Sequence, residues 1–346
     1  MTAIGPGYQS GYTGQDGIYA LWSGIPNKGL KWETTAQVDL GLDMSFFGNR
    51  LNVTFDWYDK RTSDLLRERN IAPSSGYDKM WVNDGEIRNR GIELTIDGVA
   101  FQNRDWRVGG TFVFSRNRNK VLSLGNAVQT GLKTDLRTGM QYEYYGNQSE
   151  QFRAYTNILA VGQPMYVFYG YRTDGIVQSL AEGLSAGLSG DDAQPGEFKY
   201  VDIYDGDGLE TVDENDMCII GDPNPDFIYG LTNTFTWKDL SLSIFIQGSY
   251  GNDIFNVSRM ETEGMYDGKN QSTEVLKRWR IPGQITNVPK ANFNIKNSTY
   301  FVEDGSYLRV KDISLSYNIR CRQFKKWGIS RVPVSYTHLT LPTIRL

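Results

Sequence analysis

The 346-residue sequence carries a single histidine and only two cysteines. Neither Cys218 nor Cys321 sits in a Cys-x-x-Cys motif, so zinc and dithiol chemistry lack their residues; the two thiols are expected to be unbridged. The histidine, His338, lies in the tail SYTHLTLPTIRL, which has no acidic residue and breaks with the pattern before it. Residues 334–346 therefore read as a non-native assembly tail. On that reading no imidazole remains for Ser-His-Asp or Cys-His catalysis. Also missing is any run of eighteen apolar residues, which excludes a transmembrane helix but not membrane-spanning strands. Basic charge is not in excess: the formal net charge is −4, which argues against nucleic acid as a partner. The start, MTAIGPGYQSGYTGQDG, lacks the basic and apolar regions of a secretory leader. A membrane barrel must be exported, so the chain is expected to be a fragment, with residues 1–29 forming a loop.

What is present is alternation. In FIYGLTNTFTWKDLSLSIFIQGSY, residues Phe227, Tyr229, Leu231, Phe235 and Trp237 share one face, and Thr232, Thr234 and Thr236 the other. After Lys238-Asp239 the alternation resumes with Leu240, Leu242, Ile244 and Ile246. Period two around a tight polar corner predicts a β-hairpin. The same pattern predicts strands over Lys31–Phe46, from Leu51, over Glu86–Val99, from Trp106, over Ser306–Ile319 and from near Ile329. Corners near Gly48, Gly98, Lys238 and Arg322 are short, and the connections between them are long. A secreted β-sandwich has no reason to keep that parity. An outer-membrane barrel does, with short periplasmic turns and long external loops. The fold class expected is all-β: an antiparallel transmembrane β-barrel segment of about eight strands.

Several stretches carry a resemblance. They include Leu30-Lys31-Trp32-Glu33-Thr34-Thr35, Asp56-Trp57-Tyr58-Asp59-Lys60 and Asn83-Asp84-Gly85-Glu86-Ile87. Phe168-Tyr169-Gly170-Tyr171, Gly221-Asp222-Pro223-Asn224-Pro225 and Glu303-Asp304-Gly305-Ser306-Tyr307-Leu308-Arg309 follow in order. Together they resemble the SusC/RagA family of TonB-dependent outer-membrane transporters, over most of residues 30–333. The resemblance implies a larger plugged barrel that imports oligosaccharides, or in some branches peptides, with energy from TonB. It also implies a SusD-like surface lipoprotein as lid, outer-membrane lipid around the wall, and no catalysis. The plug and TonB box are not among these residues. A secreted carbohydrate-binding or carbohydrate-cleaving module and a passive porin stand as alternatives.

Two constellations are candidate sites. Tyr142, Tyr144, Tyr145, Tyr169 and Tyr171 fall in the longest external connection, where flat rings either stack on sugars or pack the loop itself. Asp202, Asp205, Asp207 and Asp213 cluster around a Gly turn and could supply the oxygen ligands calcium prefers, stiffening the loop. Their spacing departs from the family's loop, because Ile203 stands where a first ligand belongs; a solvated acidic loop is the plainer reading. No pair of carboxylates is singled out as a glycosidase acid and base. Ser272–Arg280 predicts a short helix with Ser272 as N-cap, folded over the loops or touching lipopolysaccharide or the lid. Asp39, Asp43, Asp56, Glu93 and Asp97 are expected to line the lumen.

Overall fold

The computed structural model describes residues 27–70, 79–125, 132–146, 155–206, 211–319, 332–339 and 343–345. Eight long strands follow one another around a single antiparallel sheet. They are β1 (Thr34–Phe46), β2 (Leu51–Ser63), β3 (Glu86–Gln102), β4 (Trp106–Ser123), β5 (Phe227–Trp237), β6 (Leu240–Tyr250), β7 (Tyr307–Ile319) and β8 (Val332–Leu339). The spatial order equals the chain order, as hairpin-connected strands give. The short segment Thr343–Arg345 also pairs with β7. The expected basic corner at 320–326 and the strand start near Ile329 lie outside the described residues.

Register aligns the apolar positions into continuous rows. One row runs Met44, Val53, Ile96, Phe112, Leu231, Ile246 and Val310 across seven strands. The next runs Leu42, Phe55, Leu94, Phe114 and Tyr229. Because side chains alternate, each row faces one side, and a one-residue slip would move it to the other. Apolar side chains on this face stay exposed or only half-buried, Leu40, Leu42, Phe55, Phe235 and Leu315 among the exposed, which water would not tolerate as a contiguous band. Lipid does. The opposite face is polar and cross-linked: Thr54 Oγ1 donates to Asp43 (2.7 Å), Thr111 Oγ1 to Asp97 (2.9 Å) and Ser45 Oγ to Asn52 (2.8 Å).

The third strand runs longer than the alternation predicts, through Gln102 rather than Val99, and a bulge between Val99 and Phe101 leaves Ala100 unpaired. Glycines permit this. A Cβ on Gly109 would meet Gly98 O, and one on Gly110 would meet Thr232 O on the neighbouring strand. Both obstacles are backbone atoms, which cannot swing aside. Gly110→Val is therefore expected to cost about 1–3 kcal/mol or more. Gly268→Ala, with nothing within 4 Å, should be silent in the same melt of the full-length protein.

The long connections are folded, not slack. Segment 62–83 makes a hairpin of Leu66–Asn70 with Lys79–Asn83. Between β4 and β5 the chain builds a five-stranded sheet, in the spatial order 218–221, 167–170, 157–160, 141–145 and 133–134. A ribbon of Thr173–Ile176 with Phe198–Tyr200 accompanies it, with helix α1 (Leu180–Ser185). Between β6 and β7 lie helix α2 (Val257–Glu263) and the pairing of Asp253–Phe255 with Val302–Asp304. The segment predicted as a helix at Ser272–Arg280 is shorter, a 3-10 turn over Thr273–Lys277. Ser272 caps it as expected, its side chain accepting from Glu274 N (3.3 Å).

Candidate functional site

The two long connections share one core. Tyr171, Phe198, Tyr200, Met260, Phe293 and Phe301 come from both and are all buried. Main-chain bonds join them: Tyr171 N donates to Asn297 O (2.8 Å) and Thr299 N to Tyr171 O (3.0 Å). Side chains add cross-links. Gln178 Oε1 accepts from Trp279 Nε1 (3.0 Å) and from Gly283 N (2.8 Å). Glu197, 4 % exposed, accepts from Asn294 N (2.8 Å) and pairs with Lys290 Nζ at 3.0 Å. Burial pushes its carboxyl above the usual range, and these two donors hold it back.

The five tyrosines singled out above divide by environment. Tyr142 and Tyr169 are buried together with ring centroids 4.9 Å apart, and Tyr171 is buried in the shared core. Burial holds the Tyr169 and Tyr171 phenols well above their ordinary range. Tyr144 is half-buried, stacked on Tyr155 and under the Lys133 ammonium. Tyr145, beside Tyr166, is the exposed member of the set.

The acidic segment is organised by its own backbone. Asp213 caps a 3-10 turn at Glu214–Asp216, accepting from Asn215 N (2.6 Å). Asp216 is buried and accepts from Ile203 N (2.8 Å), Tyr204 N (3.0 Å) and Asp213 N (2.7 Å). Burial, then the neighbouring Asp216 carboxylate, raises the Asp202 carboxyl. Among the described residues no group of three or more carboxylate, thiol or imidazole side chains is placed to hold a metal ion. Asp207 lies outside the described residues.

A cavity that no sequence pattern announces lies against the five-stranded sheet. It encloses about 650 Å3 and brings together Asp135, Arg137, Gln163, Arg172 and Cys218 from four separate segments. That volume falls within the range of small-molecule pockets. Asp135 is 5 % exposed. Its Oδ1 accepts from Arg137 N (3.0 Å) and Thr138 N (2.9 Å), and Oδ2 lies 3.8 Å from the Arg137 guanidinium without a hydrogen bond. Burial raises the Cys218 thiol, while Arg137 and Arg172 pull it down. Two guanidiniums and an under-used buried carboxylate suit a ligand rich in hydroxyl or carboxylate oxygens. Asp135 and Arg137 are neighbours in sequence, but Gln163, Arg172 and Cys218 come from distant segments, so no local spacing could have marked the set.

Comparison with known proteins agrees with this architecture. A family model described as TonB dependent receptor-like, beta-barrel matches residues 2–332. TonB-dependent receptor P3 of Formosa agariphila is 35 % identical over 309 residues, covering 88 % of this chain and 29 % of its own length. TonB-dependent receptor SusC of Bacteroides thetaiotaomicron is 24 % identical, with 85 % and 27 % covered. The solved structure of the RagAB peptide transporter superposes with a TM-score of 0.72 at 24 % identity, covering 93 % of this chain and 33 % of that one. The chain thus spans about 30 % of the length of the relatives it matches. It belongs to the TonB-dependent receptor β-barrel family, in its SusC/RagA branch, a family of outer-membrane transporters and not of enzymes.

Proposed function

We propose that this chain is the wall and outer-loop part of an active importer of oligosaccharides, driven by TonB and closed by a SusD-like lipoprotein. The observation that carries the reading is the join between wall and cap: a lipid-facing register shared by successive strands continues into long loops with cores of their own. Such loops can hold a ligand site rigidly above a lumen lined by Asp43, Thr54, Asp97 and Thr111. The remainder of the full-length protein would supply the plug and the contact with TonB. Peptides are the second substrate class, favoured by the likeness to the RagAB fold. In this reading the cavity beside Arg137 and Arg172 meets the ligand first, and Tyr145 offers an open ring for stacking on a sugar. The buried tyrosines and the acidic segment keep the cap stiff.

The test is uptake by cells producing the full-length protein, with labelled oligosaccharide and peptide pools and with TonB present or deleted. Uptake should require TonB, and persistence without it would indicate a passive pore. Arg172→Ala removes a charged hydrogen-bond donor worth about 1.5–3 kcal/mol, so ligand affinity should fall about ten- to a hundredfold. Unchanged affinity would remove the cavity from the pathway.

A further inference from the structure

The outward face of the wall changes character abruptly near the outer end of β2, β3 and β4. On β4 the apolar outward positions Val108, Phe112 and Phe114 are followed by Arg116, Arg118 and Lys120. On β3, Ile96, Leu94 and Ile92 are followed by Arg90 and Arg88. On β2, Val53, Phe55 and Trp57 give way to Asp59 and Arg61. Register places these residues side by side: Arg88 stands between Arg61 and Lys120, and Arg90 between Asp59 and Arg118. Six cations thus share one outward patch.

Its acids are fewer. Asp59 accepts from Arg88 Nε (2.8 Å) and Arg90 Nε (2.9 Å). Glu86 pairs with Arg61, and Asp226 with Arg118. Arg116 and Lys120 are exposed and make no ion pair among the described residues. The paired arginines also keep donors free, since each guanidinium has five N–H groups and remains substantially exposed. Height is the second observation. Arg116 lies about ten residues above Trp106, which at ~3.4 Å per residue and a tilt of ~40° is ~25 Å, the height of a barrel's apolar band. With the short turns on the periplasmic side, the patch sits where hydrocarbon gives way to the head groups of the outer leaflet.

We propose that this patch binds the phosphate groups of lipopolysaccharide, with the acyl chains lying along the apolar rows beneath. Arginine clusters match phosphate geometry with paired N–H donors, and basic residues at a membrane surface attract anionic head groups. The inference rests on the orientation of the wall, not on the identity of the imported nutrient.

The full-length protein, extracted in mild detergent and stripped of lipid, should retain diphosphorylated lipid A as read by native mass spectrometry. Arg90→Gln, Arg116→Gln and Lys120→Gln together remove three cations worth about a factor of five each, so retention should fall about a hundredfold. The lumen-facing pair Lys60→Gln and Arg107→Gln should leave it unchanged. Arg116→Gln alone, expected to weaken retention about fivefold, carries the comparison where the triple variant does not fold. Equal retention by the patch variants, or of lipid A stripped of its phosphates, would overturn the proposal. So would displacement by millimolar inorganic phosphate, which would mark a site for soluble anions. Nutrient uptake is a separate readout: it fails with the import reading, whereas lipid retention fails with this one.

Discussion

Replacing Leu231 with arginine should destabilise the membrane-embedded wall by about 2–4 kcal/mol, the cost of a basic side chain near the bilayer midplane. Leu231 lies between Phe112 and Ile246 in the outward row, six residues above Trp237 and therefore about halfway up the apolar band. Thr234, three residues on, faces the other way and pairs with Ser243. Thr234→Arg should insert normally, because its side chain enters the aqueous lumen. The comparison is made on full-length protein, as abundance in the outer membrane and as resistance to heat on a gel. Two equally tolerated arginines would mean that the apolar rows do not meet lipid, and reversed tolerance would mean that the faces are exchanged.

The second large effect is expected at Arg259, in the cap. Its guanidinium binds Glu263 through Nε and Nη2, both at 3.1 Å, and donates through Nη1 to Tyr300 O at 2.7 Å. It also lies 4.1 Å from the Tyr300 ring centroid. The Tyr300 hydroxyl donates to Glu263, and burial together with that carboxylate holds the phenol well above its ordinary range. Glu263 is 3 % exposed, so Arg259→Ala leaves a buried carboxylate without its main counter-charge. The cost should be about 3–5 kcal/mol. Hydrogen exchange across residues 253–304 is the direct measurement, because α2 is pinned to the 299–301 turn by this group. Changing Arg259 and Glu263 together to methionine should recover most of the loss, since desolvation then disappears along with the attraction. No recovery would indicate that the arginine acts through packing alone.

The wall was legible in the sequence because strand patterning is local. Thr232, Thr234 and Thr236 against Phe235 and Trp237 announce two faces within six residues, and Lys238-Asp239 announces the corner. The bulge at Val99–Phe101 escaped because it depends on the approach of another strand to Gly109 and Gly110. The cap was harder to read for the same reason on a larger scale. Tyr171 is buried by residues 198–200 and 297–301, and Arg172, Asp135 and Cys218 come to line one cavity only in the folded cap. Composition put tyrosines in that region, but exposure separates Tyr145 from Tyr142, Tyr169 and Tyr171, and exposure is a property of long-range packing.

Ala100 shows how such a wall can change over generations. It is the residue left over where Val99 and Phe101 pair with Gly109 and Val108. Adding one residue elsewhere in a strand would send every side chain beyond it to the wrong solvent. A bulge absorbs the extra residue and restores the phase. Lineages descended from a common barrel should therefore differ freely in loop length. Their strands should differ by pairs of residues, or by a single residue taken up in a bulge.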